Sequence, residues 1–401
     1  MRVLAVCTWC PYPPNNGSRI RTYQFLRALA HRHEVDAVAF CPDDDPSHWP
    51  RPIPGLDHVR LAAVAADPFR YVGAPQWAKF VSPVPLCFVP SHKVGQAVRS
   101  LARRPYDAVV AVNTPAAWAA LQLRGVARVM DVDTALCFQM RERHLRGDGN
   151  RLRTRLSWWK AETAESSLMR RFDACALSTT NELDYVQGVV GRSSRCHIQI
   201  VPNGVDCADN RPSDGPRTPG RLIYTGALTY DANCDAMRHF LDSVYPGIRR
   251  EEPTASLVIT GSHQGVDLSR LSLDPSVCLS GYVDDVRPWI QTSRVCVVPL
   301  RQGGGTRIKI LEAMALGTPV VATSKGVEGL DVIPGEHLLV ADEPAEFARQ
   351  TVRLLRDDAL AQSLARQART LVEERYDWRA IGQGFVEMVE TATEMHKRAA
   401  P

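Results

Sequence analysis

Gly303, Gly304 and Gly305, followed closely by Thr306, Arg307, Lys309 and Glu312, form the part of this chain whose residue types and spacing best fit a chemical task. Glycine has no Cβ, so three in a row can turn their N–H groups toward a ligand lying against the backbone. An apolar run from Val295 to Leu300 leads into them, and a helical pattern opens at Thr306. The start of that helix adds its positive dipole end and its unpaired first-turn donors. Arg307 and Lys309 fall in the same first turn, where a cation is unfavourable without an anion. Together these features fit a phosphate or diphosphate. Glu312, one turn beyond Lys309, is placed to accept hydrogen bonds from hydroxyls carried by that phosphate. The plain alternative is a strand–loop–helix with a Lys309–Glu312 surface pair.

A second cluster is acidic. Asp131-Val132-Asp133 closes an apolar strand, and such a pair can accept from the hydroxyls of a ligand, cap a following helix, or bind a divalent cation. Cys7 and Cys10 make a C-x-x-C that no second pair at zinc-ligand spacing answers. No metal site is expected.

These residues need strands and helices to hold them. The chain has 401 residues, 45% apolar and 23% charged, which suits a soluble protein of two domains. A net charge of +4 is too small to imply a nucleic-acid partner. Eleven scattered cysteines and no secretory leader point to a reducing cytoplasm. Apolar strands are expected at 3–8, 35–40, 59–64, 108–112, 128–132, 174–178 and 198–201. A second set is expected at 222–225, 256–260, 277–279, 295–299, 320–323 and 338–341. Helices fall between them, including 21–31, 94–103, 235–241, 306–316 and 343–355. Alternation of this kind makes parallel sheets covered on both faces. Residues 43–54 read as a surface loop and 206–220, rich in Asp, Pro, Gly and Ser, as a linker. The expected fold is therefore α/β, with two doubly wound Rossmann-like domains, 1–205 and 221–375, facing a central cleft. A last helix within 376–401 packs back on the first domain. Open sheets of this type bind ligands beyond the carboxyl ends of their strands.

The segment Gly303 to Val321 resembles the donor-site signature of the retaining glycosyltransferases of family 4, with the GT-B fold. Pro13-Pro-Asn-Asn-Gly-Ser-Arg19, Val201-Pro-Asn-Gly-Val-Asp206 and Tyr224-Thr-Gly-Ala-Leu-Thr-Tyr-Asp-Ala-Asn233 share the resemblance, which covers nearly the whole chain. It implies a transferase of class EC 2.4 that moves a sugar from a nucleoside-diphosphate donor to an acceptor hydroxyl, without metal or other cofactor. Glu312 would hold the ribose, and Gly303, Gly304, Gly305, Thr306, Arg307 and Lys309 the diphosphate. Gly17, in an Asn-Gly turn, would approach it from the first domain, while Gly226 and Asn233 complete the donor set. Asp133, Asp131, Arg307 and Lys309 would serve the chemistry. The family usually places a glutamate eight residues before the one matching Glu312; this chain has Gly304 there. Many members also carry an Arg and then a Lys after the first strand of the second domain, where this chain continues from Gly226 to Ala227.

A nucleotide-sugar epimerase or hydrolase of the same fold, or a degenerate nucleotide-binding protein, is the alternative. A dinucleotide oxidoreductase is disfavoured because no G-x-G-x-x-G follows the first strand, and no Gly-Lys-Ser/Thr marks a P-loop. The acceptor, whether glycan, lipid-linked or small molecule, is not encoded in any motif. Residues 141–171 are basic and contain Trp158 and Trp159, which reads either as a solvated helix with its tryptophans in the core or as a peripheral contact with the inner membrane face.

Overall fold

The computed structural model describes residues 1–41, 52–64, 82, 85, 92–101, 104–147, 149–191, 194–303 and 307–399. Gly304, Gly305 and Thr306 lie outside the described residues, as does most of the expected surface loop at 43–54. The chain divides into two compact units, residues 1–202 with 381–401, and residues 203–380.

The first unit holds seven parallel strands: β1 (Arg2–Cys7), β2 (Glu34–Phe40), β3 (Val59–Val64), β4 (Ala108–Val112), β5 (Ala127–Asp133), β6 (Ala174–Leu177) and β7 (His197–Ile200). Their order is β3-β2-β1-β4-β5-β6-β7. Every residue of β4, and all of β1 after Arg2, is buried, which explains why these central strands read as unbroken apolar runs. The second unit has six: β8 (Arg221–Thr225), β9 (Ser256–Thr260), β10 (Val277–Gly281), β11 (Val295–Val298), β12 (Val320–Ala322) and β13 (Leu339–Val340), ordered β10-β9-β8-β11-β12-β13. In each sheet the order reverses beside the first strand, between β1 and β4 and between β8 and β11. Ligands of doubly wound sheets bind at such switch points.

Several expectations need correction. The helix after the glycines runs Ile308–Ala315, so Arg307 occupies its N-cap and only Lys309 lies in the first turn. The helix expected at 235–241 starts earlier, at Asp231, and passes through a π turn, Phe240–Val244, into helix Tyr245–Glu251. Residues 206–220 are counted with the second unit, where Arg217 donates to Ser293 O (2.5 Å), Gly317 O (2.7 Å) and Thr318 Oγ1 (2.9 Å). The stop of helix Ile308–Ala315 is as read. Thr318 N–H donates to Ala313 O and Gly317 N–H to Met314 O, the paired bonds of a Schellman motif.

The final helix, Trp378–Ala399, belongs to the first unit from Ile381 onward. Its Phe385 ring stacks on Phe25 of helix Gly17–Ala30, with centroids 3.8 Å apart. A Cβ at Gly382 would come within 2.8 Å of the Ala28 Cβ, so the two backbones approach closely only because that residue has no side chain.

Candidate functional site

In the second unit, the carboxyl ends of β8 and β11 carry the donor-site candidates. Gly303, with φ 101°, begins the glycine loop, and the Arg307 guanidinium reaches back to its carbonyl at 2.8 Å and to Lys325 O at 3.4 Å. Arg307 thus braces the start of the loop at Gly303. Burial lowers its pKa, with Glu328 opposing.

Lys309 points from the first helical turn to the loop after β8. Its Nζ donates to Tyr224 Oη (2.8 Å) and Asn233 Oδ1 (3.1 Å), and stands 4.0 Å from the centre of the Tyr224 ring. Asn233 is fixed in turn: Nδ2 donates to Ala227 O at 2.9 Å, and Oδ1 also accepts from Tyr224 Oη at 2.7 Å. Gly226 has φ 148°, and a Cβ there would sit 2.8 Å from Lys309 Nζ, so glycine is what admits the ammonium. No carboxylate pairs with Lys309 among the described residues, and the surface pair with Glu312 does not form. Burial lowers the Lys309 pKa to about 7 and, despite the attraction of Lys309, raises that of Glu312 to about 7. The Glu312 carboxylate makes no hydrogen bond among the described residues, leaving its acceptor oxygens open.

In the first unit, Asp131 is not a solvent-facing carboxylate. Asp131 and Arg21 are both fully buried and form a forked pair, with Arg21 Nε 3.0 Å and Nη2 2.7 Å from the carboxylate oxygens. Arg21 also donates to Val201 O (2.9 Å) and Pro202 O (3.1 Å). Burial pushes the Asp131 carboxyl up while the guanidinium opposes it. Asp133 instead stands at the strand end, partly exposed, with Oδ1 3.9 Å from Arg21 Nε and φ 58°. Aspartate is among the few non-glycine residues that adopt this left-handed conformation at modest cost. Ser178 N–H donates to Asp133 O at 2.9 Å, and just downstream Glu182 accepts from Ala135 N–H at 2.7 Å. Glu165 accepts from Leu136 N–H (3.2 Å) and Cys137 N–H (2.8 Å). Two buried glutamates thereby cap helix Leu136–Arg146, the capping role once open to the aspartates. Burial raises the Glu182 pKa to about 8.

Gly17 forms no tight turn. It is the first residue of helix Gly17–Ala30, whose N-cap Asn16 accepts from Arg19 N–H at 3.1 Å. Among the described residues no group of three or more His, Cys, Asp or Glu side chains lies within metal-binding reach. Tyr224 and Arg21 were not singled out in the sequence. Tyr224 gives no sign inside an apolar strand. Arg21 does, since it lies four and eight residues before Phe25 and Leu29 on the buried stripe of its helix.

Two α/β units, each with a parallel sheet switching order beside its first strand, define the GT-B glycosyltransferase fold. The chain matches sucrose-phosphate synthase from Thermosynechococcus elongatus with a TM-score of 0.72 at 18% identity, over 98% of this chain and 100% of that one. It matches HepE of Anabaena, solved with UDP and glucose, with a TM-score of 0.68 at 16% identity and the same coverage. Residues 16–204 match the profile of the glycosyl transferase 4-like domain and residues 219–357 that of glycosyl transferases group 1, so the chain is a glycosyltransferase homologue over most of its length. Glycogen synthase of Mycobacterium tuberculosis is 25% identical over 428 aligned positions, covering 100% of this chain and 97% of the relative.

Proposed function

We propose that this protein transfers a glycosyl group from a nucleoside-diphosphate sugar to an acceptor hydroxyl, as a metal-independent, retaining family 4 enzyme. The observation that carries the reading is Lys309: a half-buried cation at a helix start, hydrogen-bonded to neutral oxygens and in an ion pair with no carboxylate among the described residues. A diphosphate supplies the missing charge. Negative charge grows on that diphosphate as the glycosidic bond breaks, and a preorganised ammonium stabilises it directly. Arg307, bracing the glycine loop, adds positive charge beside it. Glu312 accepts from the ribose hydroxyls, and Gly17 offers a helix N-terminal N–H to phosphate. Asp133 contacts a donor or acceptor hydroxyl, and Asp131 acts behind it by fixing Arg21. HepE, with UDP and glucose bound, is the kind of precedent that supports a uridine or similar donor. Acceptors of this reading are envelope glycans, lipid-linked sugars or small natural products, and the site of action is the cytoplasm.

Gly304, at the place of the family's first glutamate, keeps an epimerase or hydrolase as the second reading. Incubation with nucleotide sugars alone separates them, because an epimerase converts its substrate without an acceptor. For the leading reading, Lys309→Ala is expected to weaken nucleoside-diphosphate binding by about ten- to a hundredfold, the worth of one charge-assisted contact. Calorimetry showing unchanged affinity would remove Lys309 from the donor site and this reading with it.

A further inference from the structure

Between residues 141 and 155 the chain carries six arginines against two acids, yet the protein as a whole has a net charge of only +4. This segment is the tip of an antiparallel pair of helices, Leu136–Arg146 and Arg151–Met169. Three large apolar side chains are exposed on or near the same tip: Leu145 (61%), Leu152 (80%) and Trp159 (58%). Leu152, Leu156 and Trp159 recur at spacings of four and three, so they share one helical face. Trp158, one residue earlier, turns the other way and donates to Glu162 Oε2 (2.9 Å) and Tyr185 Oη (2.7 Å). The expectation that both tryptophans serve the core therefore fails for Trp159.

The tip is built to hold its shape. Gly147 ends the first helix at φ 78°, Asn150 Oδ1 accepts from Arg153 N–H at 3.1 Å to start the second, and His144 Nδ1 lies 2.9 Å from Thr154 Oγ1 across the pair. Arg143, Arg151, Arg153 and Arg155 are all exposed, and none of their guanidinium groups pairs with a carboxylate among the described residues. A purely solvated surface would scatter acids among so many cations.

We infer that this helical tip is a docking surface for an anionic lipid bilayer. The arginines meet the headgroup phosphates while Leu145, Leu152 and Trp159 enter the boundary between headgroups and acyl chains. Charge and greasy residues together are the two signals that stable peripheral binding needs. A second copy of the chain does not suit the patch, because a two-fold contact would press like-charged arginines together. No helix among the described residues is long and apolar enough to cross a membrane, so the contact is lateral.

The test is co-sedimentation of the full-length chain with vesicles of phosphatidylcholine alone and with roughly a third phosphatidylglycerol, at low and high salt. Binding is expected only to the anionic vesicles and is weakened by salt. R151E/R153E and L152E/W159E should each lower the bound fraction by about tenfold or more, with circular dichroism and nucleoside-diphosphate affinity unchanged. Wild type that ignores anionic vesicles overturns the inference, and so does binding that both double variants retain. A wild type that instead dimerises, or that sediments only with an added acidic protein, also overturns it.

Discussion

At the scale of single residues, Lys309 and Glu312 would make the proposed donor site sensitive to pH near neutrality. A diphosphate requires the protonated ammonium, and ribose hydroxyls require the ionised carboxylate. Burial has brought both groups to about 7 from opposite sides. Raising the pH through that value removes the charge of free Lys309, so binding must take up a proton and affinity falls. Lowering it protonates Glu312, so binding must release a proton and affinity falls again. A bell-shaped affinity for nucleoside diphosphate centred near 7 is expected, with calorimetric enthalpies that depend on the buffer. Glu312→Gln should flatten the acid limb alone, and a profile with both limbs intact in that variant would contradict the ribose role. The place of Lys309 also answers a question that the sequence poses. The family's usual cation after the first strand of the second domain is missing, but Lys309 Nζ reaches that same loop, beside Gly226 and Asn233. On the proposed reading the charge is kept and its origin in the chain is moved.

At the scale of elements, the strands were legible because the central ones, β1, β4 and β11, are apolar almost throughout, and β3, β4 and β9 have the bounds read from the sequence. Helix starts were less so. The helix after the glycine loop begins at Ile308 because Arg307 takes φ −84°, ψ 72° and turns its fork back on the loop, a tertiary use that propensity does not register. The aspartate pair shows the same limit. The sequence placed Asp131 and Asp133 together at the close of one strand, but did not tell that one would be sealed beneath Arg21 and the other left at the rim. Breaking that pair is a test of its role as a support. Arg21→Ala strands a buried carboxylate and is expected to cost about 3–5 kcal/mol. Denaturant melts of the full chain would read this as destabilisation of the first unit, with nucleoside-diphosphate affinity of the second unit unchanged. A loss below about 1 kcal/mol would mean water reaches Asp131.

At the scale of the whole molecule, the chain passes from the first unit to the second at residues 202–203 and returns at 380–381. The return matters for stability. Phe385, Val386, Met388 and Val389 of the last helix are buried, and each such burial is worth about 1.5–3 kcal/mol. Removing residues 381–401 therefore takes away an amount comparable to the ~5–15 kcal/mol that holds a typical domain together. The shortened chain is expected to lose the first unit to limited proteolysis while residues 203–380 persist and bind nucleoside diphosphate; equal resistance of both units would deny the helix that role. The same helix leads to one last feature. The Asp107 carboxylate accepts from Arg2 N–H and from Lys397 Nζ, both at 2.9 Å, and those contacts hold its pKa below the usual range. One acid thus ties the first strand to the last helix, so loosening either partner is felt at the other.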